Sequence, residues 1–364
     1  MGGSATLRRG TTTVKTMLVT GGAGFIGSNF TRFALAKQAG WRVVVLDALT
    51  YAGNLENLEG LDTLYPERYR FIRGDVADKD LLEALFAEES PELVVHFAAE
   101  SHVDRSILGP MAFVRTNVLG SATLLDAARR HWKPPRGRFL QVSTDEVYGS
   151  LGDEGAFTEK TPLDPSSPYS ASKAAADQIA LAYHRTYGMD VVVTRCCNNY
   201  GPYQFPEKLI PLMITRALSG ENLPVYGRGE NVRDWIHVED HNRGVLLVAE
   251  RGKAGEVYNL GARCERRNID LVRTLLSVVA TIQGWDPAEV ERRITFVTDR
   301  PGHDWRYAID PSKAEQELGF KPRIEFEEGL RETVRWYLDH AGWLERVKTG
   351  AYREFVHTLY GDGR

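Results

Sequence analysis

A chain of 364 residues is too long for one small core and suits a large α/β domain with a smaller lobe beside it. With 43% hydrophobic and 26% charged residues the balance is globular, and a net charge of −4 argues against a general nucleic-acid binder, which leaves the basic residues for a small anionic ligand. Cys196, Cys197 and Cys264 have neither zinc-ligand nor disulfide-framework spacing, and no apolar run approaches membrane-spanning length, so no metal and no membrane partner is expected.

Residues 1–16 (MGGSATLRRGTTTVKT) are polar and basic with no apolar centre. They are not a signal peptide and read as a mobile tail; with the cysteine pattern, they make the cytoplasm the expected location. Short β-branched runs then alternate with helical stretches: MLVT (17–20), RVVVLD (42–47), RYRFIRGD (68–75), ELVVHFA (92–98), RFLQVS (138–143) and DVVVTR (190–195). Strands covered on both faces read as continuous apolar runs, which predicts an α/β fold with a Rossmann-type doubly wound parallel sheet over residues 17–198. From Asn199 onward Pro and Gly become frequent and the rhythm weakens. Residues 199–364 are expected to form a smaller, mainly C-terminal substrate-binding lobe, with some segments returning to the first domain, and helical pieces at 206–219 and 313–318.

In MLVTGGAGFIG a strand runs into Gly21, Gly24 and Gly27, and an apolar helical pattern follows. Glycines there allow a tight turn and let backbone N–H groups approach a pyrophosphate, which the helix N-terminus also favours. Asp47 ends the second strand 20 residues after Gly27. A carboxylate at that place accepts hydrogen bonds from ribose hydroxyls and repels a 2′-phosphate, so NAD is expected rather than NADP. Asp75-Val76 closes the third strand, where the Asp can meet the adenine amino group. Phe97-Ala98-Ala99 closes the fourth, where small residues let a cofactor lie against the backbone.

Ser143-Thr144-Asp145-Glu146 follows the fifth strand directly, and the active crevice of an open α/β sheet lies beyond the strands' carboxyl ends. Two adjacent carboxyls disfavour joint ionisation, so one can serve as acid and the other as base. Tyr169 and Lys173 stand four apart in an Ala-rich, helix-prone stretch, on one face. A free phenol is a poor base at neutral pH; a nearby ammonium and the positive nicotinamide ring would lower its pKa.

Together with LDALTYAGNLENL, FAAESHVDRSI, STDEVYG, RCCNNYGPYQFPEKLIP, GENVRDWIHVEDH and DRPGHDWRYAID, these motifs resemble the extended short-chain dehydrogenase/reductases. Within them the chain is most similar to the dTDP-glucose 4,6-dehydratases. That resemblance implies that Tyr169 takes the sugar O4 proton, steadied by Thr144, as the C4 hydride moves to NAD. Glu146 would then remove the C5 proton, protonated Asp145 would release the C6 hydroxyl as water, and the hydride would return to C6.

The resemblance further implies a cofactor set of Gly21, Gly24, Phe25, Ile26, Gly27, Asp47, Thr50, Asp75, Val76, Ala98, Ala99, Ser101, Thr116, Ser143, Tyr169, Lys173 and Asn199. For the nucleotide sugar it implies Ser101, Thr144, Asp145, Glu146, Tyr169, Asn198, Lys208, Leu209, Pro224, Tyr226, Arg233, Asn268, His303 and Tyr307, with Glu100 near the sugar. Arg233 and Lys208 suit a diphosphate, and Tyr226 can stack on thymine. Trp305 stands where the resemblance leads one to expect a more polar residue. A homodimer through the helices of 111–131 and 168–187 is also implied. The alternatives are a UDP-glucose 4,6-dehydratase, a nucleotide-sugar 4-epimerase, which has no need of the Asp-Glu pair, and a non-catalytic NAD sensor, which has no need of any of the five polar groups.

Overall fold

Each apolar run of the first half becomes a strand. These are β1 (Lys15–Thr20), β2 (Trp41–Asp47), β3 (Tyr69–Arg73), β4 (Leu93–His96), β5 (Arg138–Thr144) and β6 (Asp190–Cys196). The structure, a computed structural model, describes residues 14–133 and 136–348. Most of the expected tail, residues 1–13, therefore lies outside the described residues. β1 begins inside the stretch read as tail, with Lys15 opposite Trp41 and Thr16 opposite Arg42. The start of that strand is polar and partly exposed, so it carries no apolar signal.

The remaining strands are β7 (Asn198–Tyr200), β8 (Leu223–Tyr226), β9 (Val232–His237), β10 (Val257–Leu260), β11 (Glu265–Arg267) and β12 (Ile294–Val297). The main sheet has the order β10-β6-β5-β4-β1-β2-β3, and every pairing in it is parallel. Strand order reverses between β1 and β4, which makes the crevice above their carboxyl ends the ligand site. β10 comes from the second half of the sequence, so the sheet of the first domain is completed across the expected boundary.

Helix α1 (Phe25–Lys37) lies on one face of the sheet; α2 (Lys79–Glu89), α3 (Ser121–His131) and α4 (Pro168–Tyr187) lie on the other. Helix α5 (Val238–Arg251) follows β9 but packs against α1, back on the main sheet. Each face carries its own apolar layer, one around Val19, Val45, Val95 and Val192, the other around Leu18, Val44, Val94 and Val191. The alternation along each strand is the reason: neighbouring residues point to opposite faces and both faces are covered.

A third core belongs to the smaller lobe. Helices Leu209–Leu218, Asn268–Gln283 and Phe326–Asp339 pack Met213, Leu275 and Leu330 around Trp235 and Val225. Its strands form β11-β9-β7 and the parallel pair β12-β8. β7 and β9 pair immediately after β6 leaves the main sheet, so the lobe is anchored beside the crevice.

Candidate active site

Gly21 opens the crevice with φ +69, and a Cβ there would stand 2.5 Å from the Ala98 backbone nitrogen. A Cβ on Gly27 would stand 2.2 Å from the Gly21 carbonyl oxygen. Glycine is thus required twice, for the turn and for the close packing of α1 beneath it. The first turn of α1 contains no acidic residue and Gly24, its N-cap, offers no side chain, so its N–H groups are left for an anion. At the end of β2, Asp47 accepts from Ala23 N at 2.9 Å and from Leu49 N at 2.8 Å. Burial raises its pKa and those two bonds oppose the rise. The carboxylate therefore braces the glycine turn as well as facing the crevice.

A single cleft runs from this cradle to the acid-base turn. Of the residues expected from the sequence it is lined by Gly21, Gly24, Phe25, Ile26, Gly27, Asp47, Thr50, Asp75, Val76, Ala98, Ala99, Ser101, Thr116, Ser143, Thr144, Asp145, Glu146, Tyr169, Lys173, Asn198, Asn199 and Lys208. A glycine cradle, a free helix N-terminus and a strand-end carboxylate in one continuous cleft fit a dinucleotide.

Helix α4 brings Tyr169 and Lys173 to the cleft. Its start is fixed by a reciprocal capping box between Ser167 and Ser170 with Pro168 at the first position, and Gly188 ends it in the left-handed region. The Lys173 ammonium donates to the Val142 carbonyl at 2.7 Å. Burial lowers its pKa, opposed first by Asp177. The Tyr169 ring sits edge-on to Phe113, with centroids 6.3 Å apart. Its phenol differs from the sequence expectation: burial, then the Glu146 charge, push its pKa well above the usual value, and the Thr144 hydroxyl opposes them. Lys173 is turned to the β5 carbonyl, so the protein alone does not supply the expected lowering.

Thr144 ends β5 and caps a short turn, Asp145–Tyr148, its hydroxyl accepting from Glu146 N at 3.3 Å. The two carboxyls of that turn stand in different surroundings. Asp145 is 1% exposed, and its Oδ2 has no hydrogen-bond partner among the described residues. Burial raises its pKa well above the ordinary carboxylate value, and Glu146 and Asp234 add to the rise. Burial also raises Glu146, but Arg300, Lys208 and Arg233 all act to keep it ionised. Asp145 is suited to give a proton and Glu146 to take one.

The remaining expected contacts sit deeper in the smaller lobe, outside the lining of this cleft. Leu209 opens the helix after Lys208, whose ammonium donates to the Ser101 carbonyl at 3.0 Å. Pro224 and Tyr226 lie on β8, with Tyr226 edge-on to His303 at 6.2 Å. Arg233 on β9 donates to the Asp304 carbonyl at 2.9 Å and covers the Tyr307 ring at 4.1 Å. The Tyr307 hydroxyl donates to the Asp304 carboxylate. Asn268 leaves its Oδ1 buried with no partner among the described residues. His303 is bonded to Asp299 at 2.6 Å, and burial, then Arg300 and Arg233, bring its pKa down to about 4. Trp305 remains 43% exposed and donates to Asp153 at 3.1 Å.

Several residues were not singled out from the sequence. Tyr51, Gln204 and Glu207 line the cleft, as do Cys196 and Cys197, which had served only to judge the compartment. Arg300 is the more telling omission: it stands 3.6 Å from Asp104 and is the foremost charge opposing the burial that raises Glu146. Its position three residues before His303, inside DRPGHDWRYAID, was the available signal.

Residues 18–333 match the family model described as GDP-mannose 4,6 dehydratase. The chain is 52% identical over 345 residues to a dTDP-glucose 4,6-dehydratase of Xanthomonas campestris pv. campestris (strain B100), covering 93% of this chain and 97% of that protein. It is similar in structure to DesIV, the dTDP-glucose 4,6-dehydratase of Streptomyces venezuelae solved with NAD bound. There the TM-score is 0.84 at 50% identity, covering 92% of this chain and all of that one. The UDP-glucose 4-epimerase of Thermotoga maritima is more distant in sequence, with a TM-score of 0.79 at 30% identity, covering 90% of this chain and 99% of that one.

Proposed function

Because the chain belongs to the GDP-mannose 4,6 dehydratase family, we infer that it is an NAD-dependent hydro-lyase converting dTDP-glucose to dTDP-4-keto-6-deoxyglucose and water. The choice of dTDP-glucose over GDP-mannose rests on the relatives at about half identity rather than on the wider family's description. The observation that carries the reading is the Asp145-Glu146 turn beside Tyr169: burial raises both carboxyls, Glu146 and Asp234 raise Asp145 further, and Arg300, Lys208 and Arg233 oppose the rise only strongly enough to set Glu146 apart as the better base. An epimerase has no proton to give to a leaving hydroxyl and none to take from C5.

NAD, when bound, accepts the hydride from C4 and later returns it to C6. The residues proposed to hold it are the cradle of Gly21, Gly24 and Gly27, with Asp47 at the ribose and Lys173 at the nicotinamide end. Tyr169 takes the O4 proton, with the Thr144 hydroxyl steadying that oxygen. The ketone then acidifies the C5 hydrogen, which Glu146 removes. Asp145, kept protonated by burial, donates to the C6 hydroxyl so that water leaves. Glu146 finally returns its proton to C5. Lys208, Arg233 and Arg300 supply three cations near Glu146, in keeping with a diphosphate on that side.

A homodimer is proposed on the same reading. Leu108, Met111, Val114 and Leu119 are exposed on the segment leading into α3, and Tyr187 is exposed at the end of α4. An apolar set of this kind on two neighbouring helices suits a second copy. Light scattering should give twice the chain mass, and the mass of a single chain at micromolar concentration would rule the dimer out. No described helix is long and apolar enough to cross a membrane, and three free cysteines suit the proposed cytoplasmic setting.

Incubating the protein with dTDP-glucose in heavy water, with no added reductant, tests the reaction. The expected product has lost one water, carries a C4 ketone and holds solvent deuterium at C5. Recovery of sugar inverted at C4, with no water lost, would replace the dehydratase reading by an epimerase.

A further inference from the structure

Outside the lining of the cleft lies a buried ion pair that no step above uses. Asp177 follows Lys173 by four residues on α4 and so shares its face one turn on. Asp177 is 0% exposed, and its Oδ2 accepts from Arg195 Nε at 2.9 Å. Its Oδ1 has no hydrogen-bond partner among the described residues. Arg195, on β6, is itself buried and lies over the Tyr148 ring at 4.7 Å. Tyr148 closes the turn that carries Asp145 and Glu146, stacks on Phe157 and donates to Asn259 Oδ1 at 2.8 Å. The pair therefore touches both the helix of Tyr169 and Lys173 and the acid-base turn.

We propose that Asp177 and Arg195 are positioning residues that hold Lys173 as an ammonium and lock the Asp145–Tyr148 turn to α4. This rests on the dehydratase reading and deepens it. Stability alone is a poor reason for the pair, because two buried charges are commonly matched or bettered by apolar packing. The place of the pair is more informative. Burial works against a charged Lys173, and Asp177 is the foremost group opposing it. The other titratable groups around Lys173 are neutral. His96, on β4, is brought down to about 3 by burial. The Cys196 thiol, on β6, is pushed up to about 12, and the Tyr169 phenol is raised by burial. Ser143, on β5, faces Asp177 as an uncharged hydroxyl. Arg195 is the foremost group opposing the burial that would neutralise Asp177, so the pair acts in series on Lys173.

The sign of the pH effect follows. Lys173 acts in its charged form, so turnover is present below its pKa and is lost as pH rises through it. In Asp177→Asn the pKa of Lys173 falls, and the descending limb of kcat should move to lower pH by about one unit. In Arg195→Met the group that most opposes the burial of the Asp177 charge is lost, Asp177 is driven toward its neutral form, and the limb should move the same way as in Asp177→Asn. Should Asp177→Asn fail to fold with Arg195 left unpaired, the double variant Asp177→Asn/Arg195→Met removes both charges, and its limb should also lie below that of the wild type. The profiles are to be measured on the NAD-loaded enzyme with dTDP-glucose, wild type alongside. Folded variants whose limbs coincide with the wild type would overturn the proposal and leave the pair a structural one. A wild type that forms no product would instead overturn the dehydratase reading itself.

Discussion

Tyr169→Phe is expected to slow oxidation of the sugar by about a thousandfold, the usual scale for loss of a positioned acid-base group. Phenylalanine keeps the ring and its edge contact with Phe113, so the fold and the cleft should be unchanged. What disappears is the phenol oxygen that the proposed mechanism uses to take the O4 proton. The resting phenol is held well above its ordinary pKa by burial and by Glu146. On the proposed mechanism the positive charge that would lower it comes from the oxidised nicotinamide ring. The wild-type rate should rise with pH, because the reactive form is the deprotonated one, and the variant should lose that ascending limb. Mixing the NAD-loaded variant with dTDP-glucose and following reduced-cofactor absorbance in a single turnover measures the step directly. Build-up at the wild-type rate would remove Tyr169 from the role of base.

How far the sequence could be read depended on whether a residue's partners lay close to it along the chain. β2 and β6 are buried on both faces, so each appears as an unbroken apolar run. Gly21, Gly24 and Gly27 belong to one turn and Asp47 to the next strand end. Thr144, Asp145 and Glu146 are consecutive. Each of these could be placed from its neighbours and the rule that ligands lie beyond the strand ends. Arg300 could not, because its bearing on Glu146 comes from a loop more than a hundred residues later that has no period to read. Asp177 looked like an ordinary polar residue of an amphipathic helix until β6 brought Arg195 against it. β10 and α5 were hidden for a related reason: the chain leaves the first domain at β7 and returns, and nothing local marks the return. The phenol of Tyr169 shows a different limit. Spacing put Lys173 on its face, yet only the fold shows the ammonium bonded to the Val142 carbonyl.

Glu146→Gln should separate oxidation from elimination. Glutamine has nearly the same shape but cannot take a proton, so Tyr169 should still start the reaction while the C5 hydrogen stays in place. Reduced cofactor and a C4 ketone are then expected to accumulate on the enzyme, with loss of water slowed by about a thousandfold and no solvent deuterium at C5. The electrostatics make the substitution selective. Arg300, Lys208 and Arg233 oppose the burial that would neutralise Glu146, and they remain in the variant. Removing the Glu146 charge also takes away the foremost charge raising Asp145, but burial is the larger cause and persists. Asp145 thus stays protonated and able to give its proton, so the block falls on proton removal alone. Asp145→Asn supplies the converse, with C5 exchange retained while the C6 hydroxyl is not expelled. Normal elimination by Glu146→Gln would show that the C5 base lies elsewhere in the cleft, and loss of its first hydride transfer would show that Glu146 already acts in the oxidation.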